Sequence, residues 1–128
     1  MIEHVSIPVS NVRRAKIFYA KALKPLGYRM NMDFADAAGF KADGHTSFWI
    51  GKERTVVPTH IAFRAKSKKA VEAFYAIALR EGAKDNGAPG YRAYSRGYYA
   101  AFVHDEDGNN VEAVYFDTRM PAKKRRKK

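Results

Sequence analysis

The chain opens on an alternation of period two. In Ile2-Glu3-His4-Val5-Ser6-Ile7-Pro8-Val9, Val5 and Ile7 share one face and His4 and Ser6 the other, which predicts a strand. The period then lengthens. Ala15, Phe18, Tyr19, Ala22 and Leu23 recur at spacings of three and four behind a Ser10 or Asn11 cap, and Pro25 and Gly27 end the helix they describe. Strand patterning returns over residues 28–34, 37–42 and 46–51, with an Asp43-Gly44 turn before the last of these.

From His60 the same order recurs 56 positions on, with His4 matched by His60, Phe18 by Phe74, Tyr19 by Tyr75, Ala22 by Ala78 and Leu23 by Leu79. The matches fall on a strand histidine as well as on a helix stripe, so they describe a duplicated unit of strand, helix and about three strands. Module one covers 1–54 and module two 59–117, in one domain of 1–117. The second helix runs from about Ser67 to Arg80 and is closed by Gly82. Asn86-Gly87-Ala88-Pro89-Gly90 reads as a loop leading to Tyr91, Arg92, Tyr94 and Arg96, a candidate substrate rim. The chain then forms a hairpin, Tyr98 to His104 and Asn110 to Phe116, turning at Asp107-Gly108. In its second arm Asn110, Glu112, Val114 and Phe116 share a face, which sets a carboxylate among apolar residues, where it needs a partner.

Composition narrows the chemistry. The chain has 128 residues, 46% of them hydrophobic, with eight Tyr and eight Phe, enough for one folded core. It has no cysteine, so disulfides and thiolate ligands are excluded, and a metal would rest on imidazole and carboxylate. No leader-like apolar run stands at the start, and no apolar stretch approaches the roughly 20 residues of a membrane helix, so a cytoplasmic protein with no membrane contact is expected. About half of the +11 net charge lies in the run Lys123 to Lys128. Residues 118–128 therefore read as a solvated, disordered tail whose contacts with nucleic acid would be weak and salt-sensitive.

Three residues stand out for chemistry. His4 and His60 occupy equivalent strand positions and Glu112 lies in the last strand of the second copy. Two imidazoles and a carboxylate suit Fe(II), Mn(II), Ni(II) or Zn(II), whereas each histidine taken singly is as well read as a hydrogen-bonded strand residue. Aligning Asp43-Gly44 with Asp107-Gly108 sets Phe48 opposite Glu112, so a fourth ligand is missing and open positions remain. Trp49 then points to the other face and packs on a helix.

Taken together these residues resemble the vicinal oxygen chelate superfamily, which holds glyoxalase I, extradiol dioxygenases, bleomycin-resistance proteins and fosfomycin-resistance enzymes. The resemblance covers nearly all of the chain except the tail. It rests on His4, Phe18-Tyr19, Leu26-Gly27-Tyr28, His60-Ile61-Ala62-Phe63 and, above all, Asp105-Glu106-Asp107-Gly108-Asn109-Asn110-Val111-Glu112. It implies an α+β fold of two βαβββ modules forming an open, barrel-like mixed sheet around a central cavity, commonly in a homodimer. It also implies that His4, His60 and Glu112 bind a divalent metal. Phe48 stands where glyoxalase I has a glutamate, which argues against lactoylglutathione lyase activity, and the remaining set is similar to that of extradiol dioxygenases, although those enzymes usually carry additional modules.

Two functions follow from the resemblance. In the first, a metal-dependent lyase or dioxygenase acts on a small oxygenated substrate, with Glu112 and Tyr98 catalytic and Phe48, Arg64, Arg92 and Tyr94 on the substrate. In the second, a metal-free protein sequesters a small planar or cationic compound in an aromatic cavity.

Overall fold

A computed structural model describes residues 1–119; the basic run 123–128 lies outside the described residues. The first module comprises β1 (Val5–Val9), α1 (Val12–Ala22), a 3₁₀ turn (Lys24–Leu26), β2 (Arg29–Asp33), β3 (Ala37–Ala42) and β4 (His45–Lys52). The second comprises β5 (His60–Arg64), α2 (Lys68–Arg80), β6 (Lys84–Tyr91), β7 (Tyr98–His104) and β8 (Asn110–Phe116). Strand order is β1-β4-β3-β2 in one sheet and β5-β8-β7-β6 in the other, so each module repeats one topology and the sheets are not closed on each other. In both, the first strand runs parallel to the last while the remaining pairs are antiparallel.

Local sequence accounts for most of the boundaries. Of the two possible caps of α1, Asn11 takes the role: its side chain accepts from the Arg14 amide at 3.0 Å. Ser67 caps α2 in the same way, through the Ala70 amide. The helix stripes supply buried Phe18, Tyr19 and Ala22 from α1 and Val71, Phe74 and Ala78 from α2. These join Ile7, Val9, Phe40, Phe48, Phe63 and Val111 in one core to which both modules contribute. Phe48 stands at the junction, 5.3 Å from Tyr19 and 4.9 Å from Phe63 of the other module between ring centroids.

Two expectations are corrected. Residues 86–90, read as a loop, belong to β6. Glycine and proline are tolerated there because β6 is an edge strand, and its pairing with β7 shifts register around Gly87 and Gly90. The second correction concerns Phe48 and Trp49. The pairing of β3 with β4 passes from Phe40↔Phe48 to Lys41↔Thr46, so Ser47 is an extra residue and β4 bulges. Phe48 therefore enters the core at 1% exposure and cannot serve as a substrate contact. Trp49 takes the opposite face, as expected, but packs on no helix among the described residues: it stacks on Phe34 and lies across Gly39, whose missing side chain makes room for the indole. Since Ser6 pairs with Trp49 as Ala62 pairs with Glu112, the counterpart of Glu112 in module one is Trp49.

The β7–β8 loop joins the modules. Asp105, 8% exposed, accepts from the Tyr19 hydroxyl at 2.6 Å, from the Asn109 side chain at 2.9 Å and from the amides of Asp107 and Asn109. Fully buried Asn109 reaches outward, donating to the Pro8 carbonyl and accepting from the Thr59 amide. Asp107 receives the Ser10 amide, and Arg14 pairs with Glu106.

Candidate functional site

The outward face of the second sheet, turned away from the helices, carries His60 and Arg64 from β5, Asn110, Glu112 and Phe116 from β8, and Tyr98 and Phe102 from β7. Alternation puts them there: Val111 and Ala113 go to the core, and Glu112 between them goes to the other side.

Glu112 is 2% exposed and has two partners. The Tyr98 hydroxyl donates to Oε2, and His60 Nε2 lies 3.1 Å from Oε1. His60 Nδ1 is 3.0 Å from the Asn110 carbonyl, which can only accept, so Nδ1 carries a proton and Nε2 is the atom turned to the carboxylate. Nε2 and Oε1 thus face each other across 3.1 Å, with the ring oriented by the Asn110 carbonyl.

A ring of aromatic and cationic side chains holds this core in place. Tyr98 is gripped edge-to-face by Tyr94 at 5.0 Å and Phe116 at 5.3 Å. The Arg64 guanidinium lies over Phe116 at 5.0 Å and that of Arg92 over Phe102 at 5.3 Å, while the His60 ring stacks on Phe102. Arg92 is anchored to the carbonyls of Gly90 and Ala88, and it lies so close to Gly87 and Gly90 that a side chain at either would crowd it. The glycines read from sequence as loop punctuation thus seat an arginine beside the site. Of the residues singled out from sequence, His60, Glu112, Tyr98, Arg64, Arg92 and Tyr94 come together. His4 does not join them: it precedes β1 on the first sheet, is exposed and pairs with Glu3. Phe102 and Asn110 were missed as site residues, although the face shared by Asn110 and Glu112 could have indicated the second.

The Tyr98 phenol is pushed up from its ordinary value near 10 to about 12, first by burial and then by its bond to Glu112. Tyr99, on the core face and bonded to Glu72, is likewise raised to about 12, again chiefly by burial. A phenol whose folded value lies above its unfolded value stabilises the fold fully below the unfolded value and loses that contribution as pH rises through the folded one. Stability is therefore expected to be level up to about pH 10 and to fall between about 10 and 12. A tyrosinate absorbance titration should show late-ionising phenols, one of which disappears in Tyr98→Phe; ionisation of both at ordinary pH would overturn this.

The donor set can be tested against a divalent ion. Two ligands set at right angles with bonds of roughly 2.1 Å stand about 3 Å apart, which is the Nε2 to Oε1 separation. The Asn110 carbonyl on Nδ1 is the kind of outer hydrogen bond that orients a metal-binding imidazole. His60 and Glu112 thus fit two ligands of one ion. Among the described residues no group of three histidine, aspartate or glutamate side chains is placed to complete a cage.

The frame is a pair of βαβββ modules with a histidine–carboxylate pair on an outward sheet face. The sequence profile of the Glyoxalase/Bleomycin resistance protein/Dioxygenase superfamily matches residues 1–113, and the chain belongs to that superfamily. No curated protein matches it in sequence. Among solved structures it is similar to a glyoxalase/bleomycin resistance protein from Albidiferax ferrireducens, at 24% identity and a TM-score of 0.77 over 88% of this chain and 96% of that one. A family enzyme from Burkholderia phytofirmans has 16% identity and a TM-score of 0.72, covering 91% and 98% of the respective chains. A lactoylglutathione lyase from Agrobacterium tumefaciens has 17% identity and a TM-score of 0.68, covering 90% and 92%. At these identities the likeness concerns the fold. No helix among the described residues is long and apolar enough to cross a membrane.

Proposed function

We propose that the protein is a divalent-metal-dependent enzyme of this superfamily acting on a small oxygenated substrate, with His60 and Glu112 as ligands in one chain and His4 supplied by a second copy. The observation that carries this reading is the convergence of His60 Nε2 and Glu112 Oε1, with the imidazole locked by Asn110 and the carboxylate by Tyr98. His4 is in phase with Ser6, on the exposed face of the first sheet, so a partner in a homodimer would have access to it.

A bound divalent ion would polarise a substrate oxygen and stabilise negative charge developing on it. Tyr98 keeps Oε2 occupied and leaves Oε1 for the ion. Arg64 and Arg92 place positive charge at the rim, where they favour an oxyanionic substrate, and exposed Tyr94 offers a ring face to its apolar part.

The second reading, metal-free sequestration, is favoured by Trp49 standing in the place of a second carboxylate and by Glu112 finding both its partners within the chain. Metal content decides between them. After identical loading and desalting, near-stoichiometric metal in the native protein and on the order of a hundredfold weaker retention in Glu112→Ala are expected. Mixing unfolded His4→Ala and Glu112→Ala chains and refolding them together should restore one metal site per mixed dimer. Metal in neither the native protein nor the variant would reject the enzyme reading in favour of sequestration.

A further inference from the structure

The two ends of the second sheet carry opposite charge. At one end β5, β6 and β8 finish and β7 and α2 begin, and Arg64, Lys66, Lys68, Lys69, Arg96 and Arg119 stand there. The other end carries Glu81, Asp85, Asp105, Glu106 and Asp107 against Arg80 and Lys84.

Carboxylates at the basic end are already engaged. Asp117, 4% exposed, accepts from the Tyr91 hydroxyl at 2.8 Å and from Arg119 at 3.3 Å, and Glu72 accepts from the Tyr99 hydroxyl. Lys68 donates to the Tyr91 hydroxyl at 3.0 Å and lies near enough to Arg119 to be repelled by it, while Arg96 shares a small recess with Phe116 and Asp117. Asp43 of the first module reaches Lys66 at 3.4 Å, but both side chains are 79% exposed, so the pair is loose and readily exchanged for another anion. The start of α2 adds an independent observation. Its first turn holds Lys68 and Lys69 and no acid, although the N-terminus of a helix is the positive end of its dipole and favours carboxylates. These cations are gathered against the helix dipole and against one another, which an external polyanion relieves. Arg119 is also the last described residue, so Lys123, the first of the basic run, follows within about 14 Å of it.

We infer that this end of the second module binds single-stranded nucleic acid, with phosphates on the cations and bases on exposed tyrosine rings. Tyr91 and Tyr94, 42% and 70% exposed, are the large apolar side chains uncovered there, and such rings among cations suit unpaired bases. A duplex hides its base faces, and a lipid surface calls for aliphatic or tryptophan anchors that this end does not expose among the described residues.

Fluorescence anisotropy of a labelled oligothymidylate of roughly 15 nucleotides, titrated with the full chain in the presence of a chelator, tests this. Saturable binding that weakens as salt rises is expected. Joint Lys66→Gln and Lys69→Gln substitution should weaken it on the order of tenfold and flatten the slope of log K against log salt by about 1.4, the share of two phosphate contacts. Tyr94→Ala should weaken binding by a similar factor, on the order of tenfold, and leave the slope unchanged. All three side chains are exposed, so the variants are expected to fold, which circular dichroism checks. Absence of saturable binding would overturn the inference, and so would affinity unchanged by the paired lysine substitutions, which would leave the terminal run alone responsible. Tighter binding of a duplex or of phosphatidylserine vesicles, or full affinity in Tyr94→Ala, would do the same. Metal is removed throughout, so this inference and the proposed function fail separately.

Discussion

Phe48→Glu is expected to prevent folding, whereas Trp49→Glu yields a folded protein. Phe48 is 1% exposed and touches Tyr19, Phe40 and Phe63, so the substitution removes ring contacts that join the two modules and buries a carboxylate among aromatic rings. A buried large-to-small change costs about 3–5 kcal/mol, and a buried unpaired charge adds several more, against a total stability of roughly 5–15 kcal/mol for a domain. Trp49 lies half-buried on the outward face, so Glu there loses the stacking on Phe34 and part of its apolar contact, about 1–2 kcal/mol. Equilibrium urea unfolding followed by circular dichroism measures both. The reverse ranking would show that the bulge at Ser47 is wrongly placed. On the metal-site reading Trp49→Glu has a second consequence: it puts a carboxylate at the counterpart of Glu112 and should tighten metal retention.

That pair of residues also shows what the chain's pattern could and could not disclose. The duplication was legible because Phe18 and Phe74, or Ala22 and Ala78, meet the same core under the same helical period, and both members of each pair are buried. The hairpin face was legible for the same reason: period two places Glu112 opposite Val111 and Ala113. A β-bulge has no such signal. Ser47 is an ordinary strand residue, and only the pairing of β3 with β4 reveals that it is supernumerary, so an alignment through the turns assigned Phe48 to the wrong face. The Gly/Pro segment misled in another way, since the same residues that mark a turn are also accepted in an irregular edge strand. Arg92 and Tyr94 were read as a rim in the segment leading to the hairpin and Arg64 as a further substrate contact, and each reaches the site through an aromatic ring: Phe102, Tyr98 and Phe116 respectively. His4 marks the boundary of the single chain. Its register position is equivalent to that of His60, yet its sheet is a separate one, and equivalence within a repeat does not bring two residues into contact.

Asp105→Ala is expected to cost about 3–5 kcal/mol and to displace Glu112 with the loop that precedes it. The carboxylate accepts four hydrogen bonds, and removing it strands the Tyr19 hydroxyl, 1% exposed, together with the amide and side chain of fully buried Asn109. Each buried donor left without a partner costs about 1–3 kcal/mol, and the sum falls short of simple addition because the loop relaxes. Asp105→Asn separates the contributions. Its remaining oxygen can still accept the amides of Asp107 and Asn109, while its new amide group meets the donating side chain of Asn109, so about half the loss is expected. Glu106→Ala serves as the control, since its pair with Arg14 is solvent-exposed and worth at most about 1 kcal/mol. Urea midpoints for the three variants, measured without metal, give the ranking Asp105→Ala, Asp105→Asn, Glu106→Ala in decreasing loss; equal losses for Asp105→Ala and Glu106→Ala would sink the argument. The expected ranking divides the stretch 105–112 by physical role. Asp105, Asp107 and Asn109 build the joint between modules through Tyr19, Ser10, Pro8 and Thr59, and that joint delivers Asn110 and Glu112 to the site face in the register that lets one orient His60 and the other meet it.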